Sequence, residues 1–363
     1  MPKSLLDLLE DIYSDADKWK YYKGKRGCYK SYDFLSENFS NYFIQQYFST
    51  GKKSILTESL WRLSRLRQMH TVSTFFIGLY LYQFLNVSDY RKYKPSFRYL
   101  WFLSCLYHDF GYIIEDNIDP QWTNDIQYDI YGNLTIPKEL QSYYDIATIK
   151  RYSIYRCNKD HGIEGGRKLY DLLKKNYNAY QKEWALKHGC TPIDEFCIRE
   201  HNTGIWFRKS HEKYYAEVAL NIMLHNIWLG NDRDTIDQYE HNGLNKLNNK
   251  KLTFSYSSAL LFILIFADTL EPIKKLKDYD YTNSNEKHDT EKLNCKNYKT
   301  ILNNIFIDHE EDKLVITFNP TALSALEYPY EKWVNSICGM TTWININITY
   351  ENNKIEIDFN IHK

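Results

Sequence analysis

The feature that most limits how this sequence can fold is an aspartate, Asp268, that directly follows its most hydrophobic stretch, residues 259–267. A buried carboxylate without a cationic partner is costly, so Asp268 requires a positive charge beside it in the folded chain. His108 and Asp109 end a second apolar stretch, residues 99–107, for which we predict a helix. Adjacent residues on a helix point about 100° apart, so both side chains can reach one site only if a bulky, charged group lies between them. A metal ion is the natural candidate.

Three further histidines lie at the ends of apolar segments. His70 and His161 each begin one, and His225 ends one. Each taken alone is more simply interpreted as a hydrogen-bonded core or surface histidine than as a metal ligand. A second His-Asp pair, His288 and Asp289, lies in a polar, linker-like segment, where we expect no chemical role.

The order of these residues is more informative than any of them alone. Six residues follow the pattern H…HD…H…H…D, namely His70, His108, Asp109, His161, His225 and Asp268. This pattern resembles that of the HD-domain (HD/PDEase-like) metal-dependent phosphohydrolase superfamily. The resemblance covers about residues 60 to 280 and includes the local sequences HDFG at residues 108–111 and FADT at residues 266–269.

The resemblance implies a binuclear metal site. A first divalent ion would be bound by four of these residues: His70, His108, Asp109 and Asp268. Asp109 would bridge to a second ion, and His161 and His225 would be the other ligands of that ion. His108 and Asp109 would carry the catalysis. Imidazole and carboxylate ligands suit Mn, Fe, Co, Ni, Zn or Mg, so we expect two divalent metal ions as cofactors and leave their identity open.

The implied activity is hydrolysis of a phosphoester bond, in a nucleotide, cyclic nucleotide or short oligonucleotide. Lys plus Arg equals Asp plus Glu at 46 each, so the chain has no net charge and is not expected to capture nucleic acid in bulk. A metal-dependent nuclease on single-stranded nucleic acid stays open but is not favoured. A nucleotide-sensing HD module without turnover and a di-iron oxygenase are the remaining alternatives.

The contacts to the substrate phosphate are less clearly indicated. Some relatives place a lysine or histidine directly after the glycine of the HD-x-G stretch, and this chain has Tyr112 there. Arg67, Lys159 or Arg167 would have to replace that basic group. Arg67 lies one helical turn before His70, so it can face the same site. Tyr112 itself is a further candidate substrate contact.

Cysteine usage and hydrophobicity favour a reducing, aqueous compartment. Seven cysteines, an odd number without a C-x-x-C pair, form neither a disulfide framework nor a zinc ribbon. Residues 1–11 carry acids where a signal peptide would need an apolar core, and no apolar stretch reaches the roughly 18 residues of a membrane span. We therefore expect a cytoplasmic protein that does not enter membranes.

The pattern along the chain predicts a mainly α fold, an HD-domain helical bundle, with a small C-terminal α+β module. We divide it into a helical entry, the HD domain, a linker and that module: residues 1–55, 56–282, 283–299 and 300–363. The HD domain carries insertions at about residues 116–155 and 177–213; the first is either a lid or substrate-specificity element or a surface loop without a role. Three histidines of the second insertion, His188, His201 and His211, are weaker candidates for a substrate contact or an extra metal ligand.

Two pairs of alternating segments in residues 300–363 predict hairpins, with a helix at about residues 324–338 between them. The module is therefore expected to be ββαββ, a four-stranded antiparallel sheet with a helix on its apolar face. We expect an accessory role in dimerisation, substrate binding or regulation, and a homo-oligomer formed through this module is one open outcome. Near the start of the chain, the spacing of leucines predicts an amphipathic helix over residues 4–13.

Overall fold

The computed structural model describes the helices that carry all six predicted ligands, together with the C-terminal sheet. The described residues are 2–19, 65–87, 97–115, 126–156, 159–189, 198–199, 206–207, 212–230, 232–248, 250–275, 297–310 and 313–360. Predictions for residues 20–64, for His201, His211 and His288, and for the side chain of His188 lie outside this part of the chain.

The described chain is mostly helical, as the sequence predicts, with a small antiparallel sheet near the C-terminal end. The helices are α1 (Leu5–Ser14), α2 (Ala16–Trp19), α3 (Arg65–Phe84), α4 (Phe97–His108), α5 (Tyr112–Glu115), α6 (Ile146–Tyr155), α7 (His161–His188), α8 (Glu212–Leu224), α9 (Arg233–His241), α10 (Ala259–Leu270), α11 (297–303), α12 (Pro320–Ala325) and α13 (Tyr330–Gly339). The strands are β1 (Lys3–Ser4), β2 (Ile198–Arg199), β3 (Trp206–Phe207), β4 (Ile305–Glu310), β5 (Lys313–Phe318), β6 (Asn347–Glu351) and β7 (Lys354–Asp358). The helix predicted over residues 4–13 is confirmed by α1. Among the described residues, no helix combines the length and the apolar character that crossing a membrane requires.

Helix α4 is the centre of a bundle. All of its residues except Arg98 are buried, so it needs neighbours on every side. Helices α3, α7, α8 and α10 supply them. Helix α10 is equally buried, since all of its residues except Thr269 are buried, in keeping with its continuous apolar sequence. The bundle thus surrounds the two segments in which the sequence places a charge at the end of an apolar run.

Two glycines permit a close approach of helices near the end of α4. A Cβ atom at Gly111 would lie 2.0 Å from the backbone oxygen of His161. One at Gly162 would lie 2.9 Å from the backbone oxygen of Ile222. The first contact holds the start of α7 against the end of α4, and the second holds α7 against the end of α8. Larger residues at these two positions would separate the helices that carry the predicted ligands.

The two predicted insertions contain regular structure. Helix α6 lies within the first, residues 116–155. The second, residues 177–213, begins inside α7, which continues for 28 residues from His161 to His188. Further along the second insertion, β2 and β3 pair as a short antiparallel hairpin.

The C-terminal sheet has five strands in the order β1-β4-β5-β7-β6, and all neighbours are antiparallel. Four of them form the two predicted hairpins, β4 with β5 and β6 with β7. The fifth strand, β1, comes from the start of the chain, where Lys3 pairs with Ile307 and Ser4 with Phe306. Two residues are too few for an alternating pattern, so β1 could not be predicted from the sequence.

Two helices, α12 and α13, lie between the hairpins in place of the single helix predicted at about residues 324–338. The break falls at residues 326–329 and ends with Pro329, which disfavours helical geometry in the residue before it. Helix α13 joins the sheet to the bundle, because the indole Nε1 of Trp333 donates to the carbonyl oxygen of Leu270 at 3.1 Å. The C-terminal module therefore contacts the end of α10.

Candidate metal centre

The six predicted ligand residues lie together near the end of α4. Their positions are His70 in the second turn of α3, His108 and Asp109 at the end of α4, His161 at the start of α7, His225 directly after α8 and Asp268 near the end of α10. None of them is more than 5% exposed. Five helices thus contribute polar side chains to one buried place.

The first group of ligand atoms is closely packed. One atom from each of four residues, His70, His108, Asp109 and Asp268, lies within 4.8 Å of the others. His70 Nε2 is 3.0 Å from Asp268 Oδ1 and 3.1 Å from His108 Nε2. The same nitrogen is 3.5 Å from Asp109 Oδ2. These distances suit a single cation between the four side chains.

The second group consists of Asp109, His161 and His225, whose ligand atoms also lie within 4.8 Å of one another. Asp109 Oδ1 is 3.9 Å from His161 Nε2. The rings of His161 and His225 lie with their centroids 5.3 Å apart. Asp109 therefore belongs to both groups.

Two of the histidines are oriented by carboxylates. Glu271 Oε2 lies 2.6 Å from His70 Nδ1, and Glu115 Oε2 lies 2.9 Å from His161 Nδ1. Glu271 is fully buried and also accepts a hydrogen bond from Ser73 Oγ at 3.0 Å, which fixes its own position. A carboxylate behind an imidazole orients the ring and makes its other nitrogen more basic.

The other two histidines are oriented by backbone carbonyl groups. His108 Nδ1 donates to the carbonyl oxygen of Cys105 at 2.7 Å, and His225 Nδ1 donates to that of Ile222 at 2.6 Å. With Nδ1 engaged, each ring directs its Nε2 toward the centre. All four histidines share this arrangement, which is that of histidine metal ligands.

Several buried atoms at the centre are left without a protein partner. Asp109 Oδ1, His161 Nε2 and His225 Nε2 are buried and make no hydrogen bond to the described residues. Buried polar atoms normally have a partner. His70 Nε2 and His108 Nε2 face each other at 3.1 Å, and two nitrogen lone pairs at that distance need a proton or a cation between them. The donor set therefore fits divalent cations.

Both aspartates are strongly acidic. Burial raises the pKa of Asp109, but the neighbouring histidines and Arg67 outweigh burial and hold the pKa well below its usual range. Burial acts in the same direction on Asp268, and there Lys274 is the first of the groups that outweigh it and lower the pKa. Both side chains are thus carboxylates at neutral pH and can bind a cation.

The histidines of the two groups differ in ionisation. Burial lowers the pKa of His70, but hydrogen bonds to Asp268 and Glu271 outweigh burial and raise the pKa to about 10. Burial, together with His161, lowers the pKa of His225 to about 3. At neutral pH, His225 is a neutral ring ready to bind a metal, whereas His70 carries a proton that a metal ion would displace.

Two of the four predicted substrate contacts, Arg67 and Tyr112, lie at the centre. Arg67 Nη1 is 3.6 Å from Asp109 Oδ2. The guanidinium carbon of Arg67 lies 3.3 Å from the centroid of the Tyr112 ring. The same ring stacks on His161, with the two centroids 4.0 Å apart. Arg67, Tyr112 and His161 thus form a stack at the second group.

The other two predicted substrate contacts, Arg167 and Lys159, have different surroundings. Arg167 Nη1 donates to both carboxylate oxygens of Glu164, at 2.9 and 3.2 Å. Lys159 is exposed in the short segment before α7. The contact that the structure shows for Arg167 is therefore made along α7 rather than to the six ligand residues.

Three residues at the centre are not identified by the sequence pattern, namely Glu115, Glu271 and Lys274. Glu271 lies three residues after Asp268, and a charged residue at that spacing is a usable signal, because positions i and i+3 share one face of a helix. Lys274 Nζ contacts Asp268 Oδ2. Lys274 and Glu115 carry no such signal, because turns separate them from the helices that hold the ligands.

Comparisons with known proteins give no relative of this chain, since no family model, no curated protein and no solved structure matches it. The structure itself defines a buried centre whose histidine and aspartate groups can hold metal ions. The order of these six residues along the chain and their buried grouping are compatible with an HD-type site.

Proposed function

We propose that this protein is a two-metal phosphohydrolase of the HD type, which hydrolyses a phosphoester bond in a nucleotide, cyclic nucleotide or short oligonucleotide. The observation that carries the proposal is that Asp109 belongs to both groups of ligand atoms. A carboxylate shared by two cation sites suits a binuclear hydrolytic centre, whose ions lie about 3.5–4 Å apart. The order H…HD…H…H…D supports the same function.

In this proposal, each group of ligand atoms holds one divalent ion. The first is held by His70, His108, Asp109 and Asp268, and the second by Asp109, His161 and His225. These imidazole and carboxylate ligands suit Mn, Fe, Co, Ni, Zn or Mg. When bound, two such ions activate water for attack on phosphorus and neutralise charge on the phosphate oxygens.

In this proposal, Arg67 binds the phosphate itself. Its guanidinium lies 3.6 Å from Asp109 Oδ2, and 15% of its side chain is exposed, so it faces both the centre and solvent. A planar guanidinium can hold two oxygens of one phosphate at once. The ring of Tyr112 lies against it and limits its movement. Arg67 thus takes the role that the resemblance gives to a basic residue at the position of Tyr112.

Elemental analysis of the purified protein is the first test, followed by assays of phosphomonoester and phosphodiester substrates with Mn, Fe, Co, Ni, Zn and Mg in turn. We expect about two metal ions per chain and hydrolysis that depends on the added ion. One ion or none, without hydrolysis under any metal, would contradict the proposal. Iron together with oxidation of a substrate would support oxygenase chemistry instead, and nucleotide binding without turnover would support a sensor.

A further inference from the structure

Lys274 lies at the candidate centre although it belongs to none of the predicted sets of residues. It lies in a 3-10 turn, Pro272–Lys275, that directly follows α10 and Glu271. Its Nζ contacts Asp268 Oδ2, while 30% of its side chain remains exposed. The side chain is therefore partly open to solvent, while its ammonium group contacts the centre.

The position of Lys274 is fixed by the same carboxylate that orients His70. Glu271 Oε2 accepts a hydrogen bond from the backbone N–H of Lys274 at 3.3 Å and lies 2.6 Å from His70 Nδ1. The carbonyl oxygen of Pro272, in the same turn, accepts from Tyr328 Oη at 2.9 Å. Hydrogen bonds to Glu271 at the end of α10 and from Tyr328 of the C-terminal module thus fix the turn. Lys274 is therefore preorganised beside the predicted ligands.

The contact with Asp268 leaves the ligand atom of that residue free to bind a cation. Asp268 Oδ1 faces His70 Nε2 at 3.0 Å, whereas Oδ2 faces Lys274. An ammonium has three N–H donors, so the bond to Asp268 leaves two that can donate to a ligand in the centre.

The charges at the centre favour a particular kind of ligand. Four carboxylates contact it, namely Asp109, Asp268, Glu115 and Glu271. Two divalent ions would balance these four charges. Arg67 and Lys274 then leave an excess of two positive charges. A phosphomonoester carries a charge of about −1.5 to −2 at pH 7, whereas a phosphodiester carries a single charge.

We propose that Lys274 is a second phosphate-binding residue beside Arg67, and that the two select a terminal, dianionic phosphate. The substrate is then a phosphomonoester or a nucleoside polyphosphate rather than a phosphodiester. This inference rests on the proposed phosphohydrolase function for the reaction, but the binding of the phosphate group can be measured without any turnover.

The test compares inorganic phosphate with dimethyl phosphate as ligands of the metal-loaded full chain, by calorimetry at about pH 8, where phosphate is a dianion. We expect phosphate to bind the unchanged protein about tenfold or more tightly than dimethyl phosphate. Lys274→Ala should weaken phosphate binding by about tenfold or more and remove most of that preference. Lys275→Ala, which removes the neighbouring lysine, is the matched control and should bind both ligands as the unchanged protein does.

Metal content is measured on the same samples, and Lys274→Arg provides a variant that keeps the charge. Retained metal with weakened phosphate binding in Lys274→Ala, and near-normal binding in Lys274→Arg, would support the inference. Unchanged phosphate binding in Lys274→Ala would overturn it. Loss of metal in Lys274→Ala would also overturn it, because Lys274 would then only position Asp268. Equal binding of the two ligands by the unchanged protein would refute the substrate class.

The outcomes also separate this inference from the proposed function. Phosphate binding that depends on Lys274, without hydrolysis of any ester, would refute the phosphohydrolase and leave the phosphate site standing. Hydrolysis of phosphomonoesters that is unaffected by Lys274→Ala would refute the role of Lys274 and leave the proposed phosphohydrolase standing.

Discussion

The two halves of the candidate metal centre are built differently, although they share one aspartate. In the first half, His70 lies 3.0 Å from Asp268 and 2.6 Å from Glu271, so its ring nitrogens have protein partners. In the second half, His161 Nε2 and His225 Nε2 have no hydrogen-bond partner among the described residues. The histidine at the first half thus has protein partners on both ring nitrogens, whereas two buried ring nitrogens of the second half have none among the described residues.

The ionisation of the histidines explains this difference. The pKa of His70 is raised to about 10, so a proton takes the place of a cation in the first half. The pKa of His225 is lowered to about 3, so no proton does so in the second half. Unsatisfied buried groups are tolerated at functional sites and offset elsewhere in the fold. We therefore expect the first half to stabilise the fold by itself and the second half to do so only with a cation bound.

Removing the shared aspartate should have the largest effect, because it eliminates both halves at once. Asp109→Ala deletes a ligand of each group, so we expect loss of both metal ions and of all hydrolysis. Elemental analysis and a phosphoester assay on the purified variant measure this. Asp237→Ala, which removes an exposed carboxylate on α9, is the control and should change neither quantity. Full metal content in Asp109→Ala would refute the ligand assignment.

The stability of the metal-free protein separates the two halves. His70→Ala removes one partner of Asp268 and one of Glu271, which keep Lys274 and Ser73, so we expect a loss of about 3 kcal/mol in the free energy of unfolding beyond the cost of the cavity. His225→Ala should cost about 1 kcal/mol beyond the cost of the cavity, because it loses the hydrogen bond from Nδ1 to the carbonyl oxygen of Ile222 and its Nε2 has no partner to lose. Urea unfolding of both variants after treatment with a chelator gives the two values. Equal losses would show that the halves do not differ in this way.

Added metal should stabilise the folded chain through the second half of the centre. Each occupied site stabilises the folded chain by about 2.7 kcal/mol when free metal is at about a hundred times its Kd. His225→Ala keeps only the first group intact, so metal should stabilise this variant by about half as much as the unchanged protein. Urea unfolding with and without metal measures the difference. The same stabilisation in both proteins would place His225 outside the metal site.

The grouping of the six residues could be predicted from the sequence because their order resembles the HD pattern and each lies in apolar surroundings. Asp268 follows an apolar run, and a carboxylate in that place is costly unless it binds a cation, so the conflict itself marks the residue. Lys274 could not be predicted in this way, since a lysine just after a helix is ordinary at a protein surface. Its contact with Asp268 depends on the geometry of a turn. That geometry is set by a hydrogen bond to the Glu271 side chain and by one from Tyr328, which is distant in sequence.

In the fold, too, elements with a local sequence pattern could be predicted and elements without one could not. Strands β4 to β7 follow the two-residue alternation that makes one face apolar, so the sequence predicts both hairpins. Strand β1 has two residues and therefore no period, and its pairing with β4 joins positions about 300 residues apart. Features that arise from local pattern could be predicted, whereas features that arise from tertiary contact could not.

The smallest effect we expect concerns the carboxylate behind the second half. Glu115 Oε2 accepts from the backbone N–H of His161 at 3.0 Å and lies 2.9 Å from its Nδ1, so it orients the ring but belongs to neither group of ligand atoms. Glu115→Ala should weaken binding of the second ion by about 10–100-fold and leave the first site unchanged. Metal titration followed by calorimetry resolves the two sites. Glu240→Ala, which removes an exposed carboxylate on α9, should leave both affinities unaltered. If Glu115→Ala weakened both sites equally, the two halves would be coupled through more than their shared aspartate.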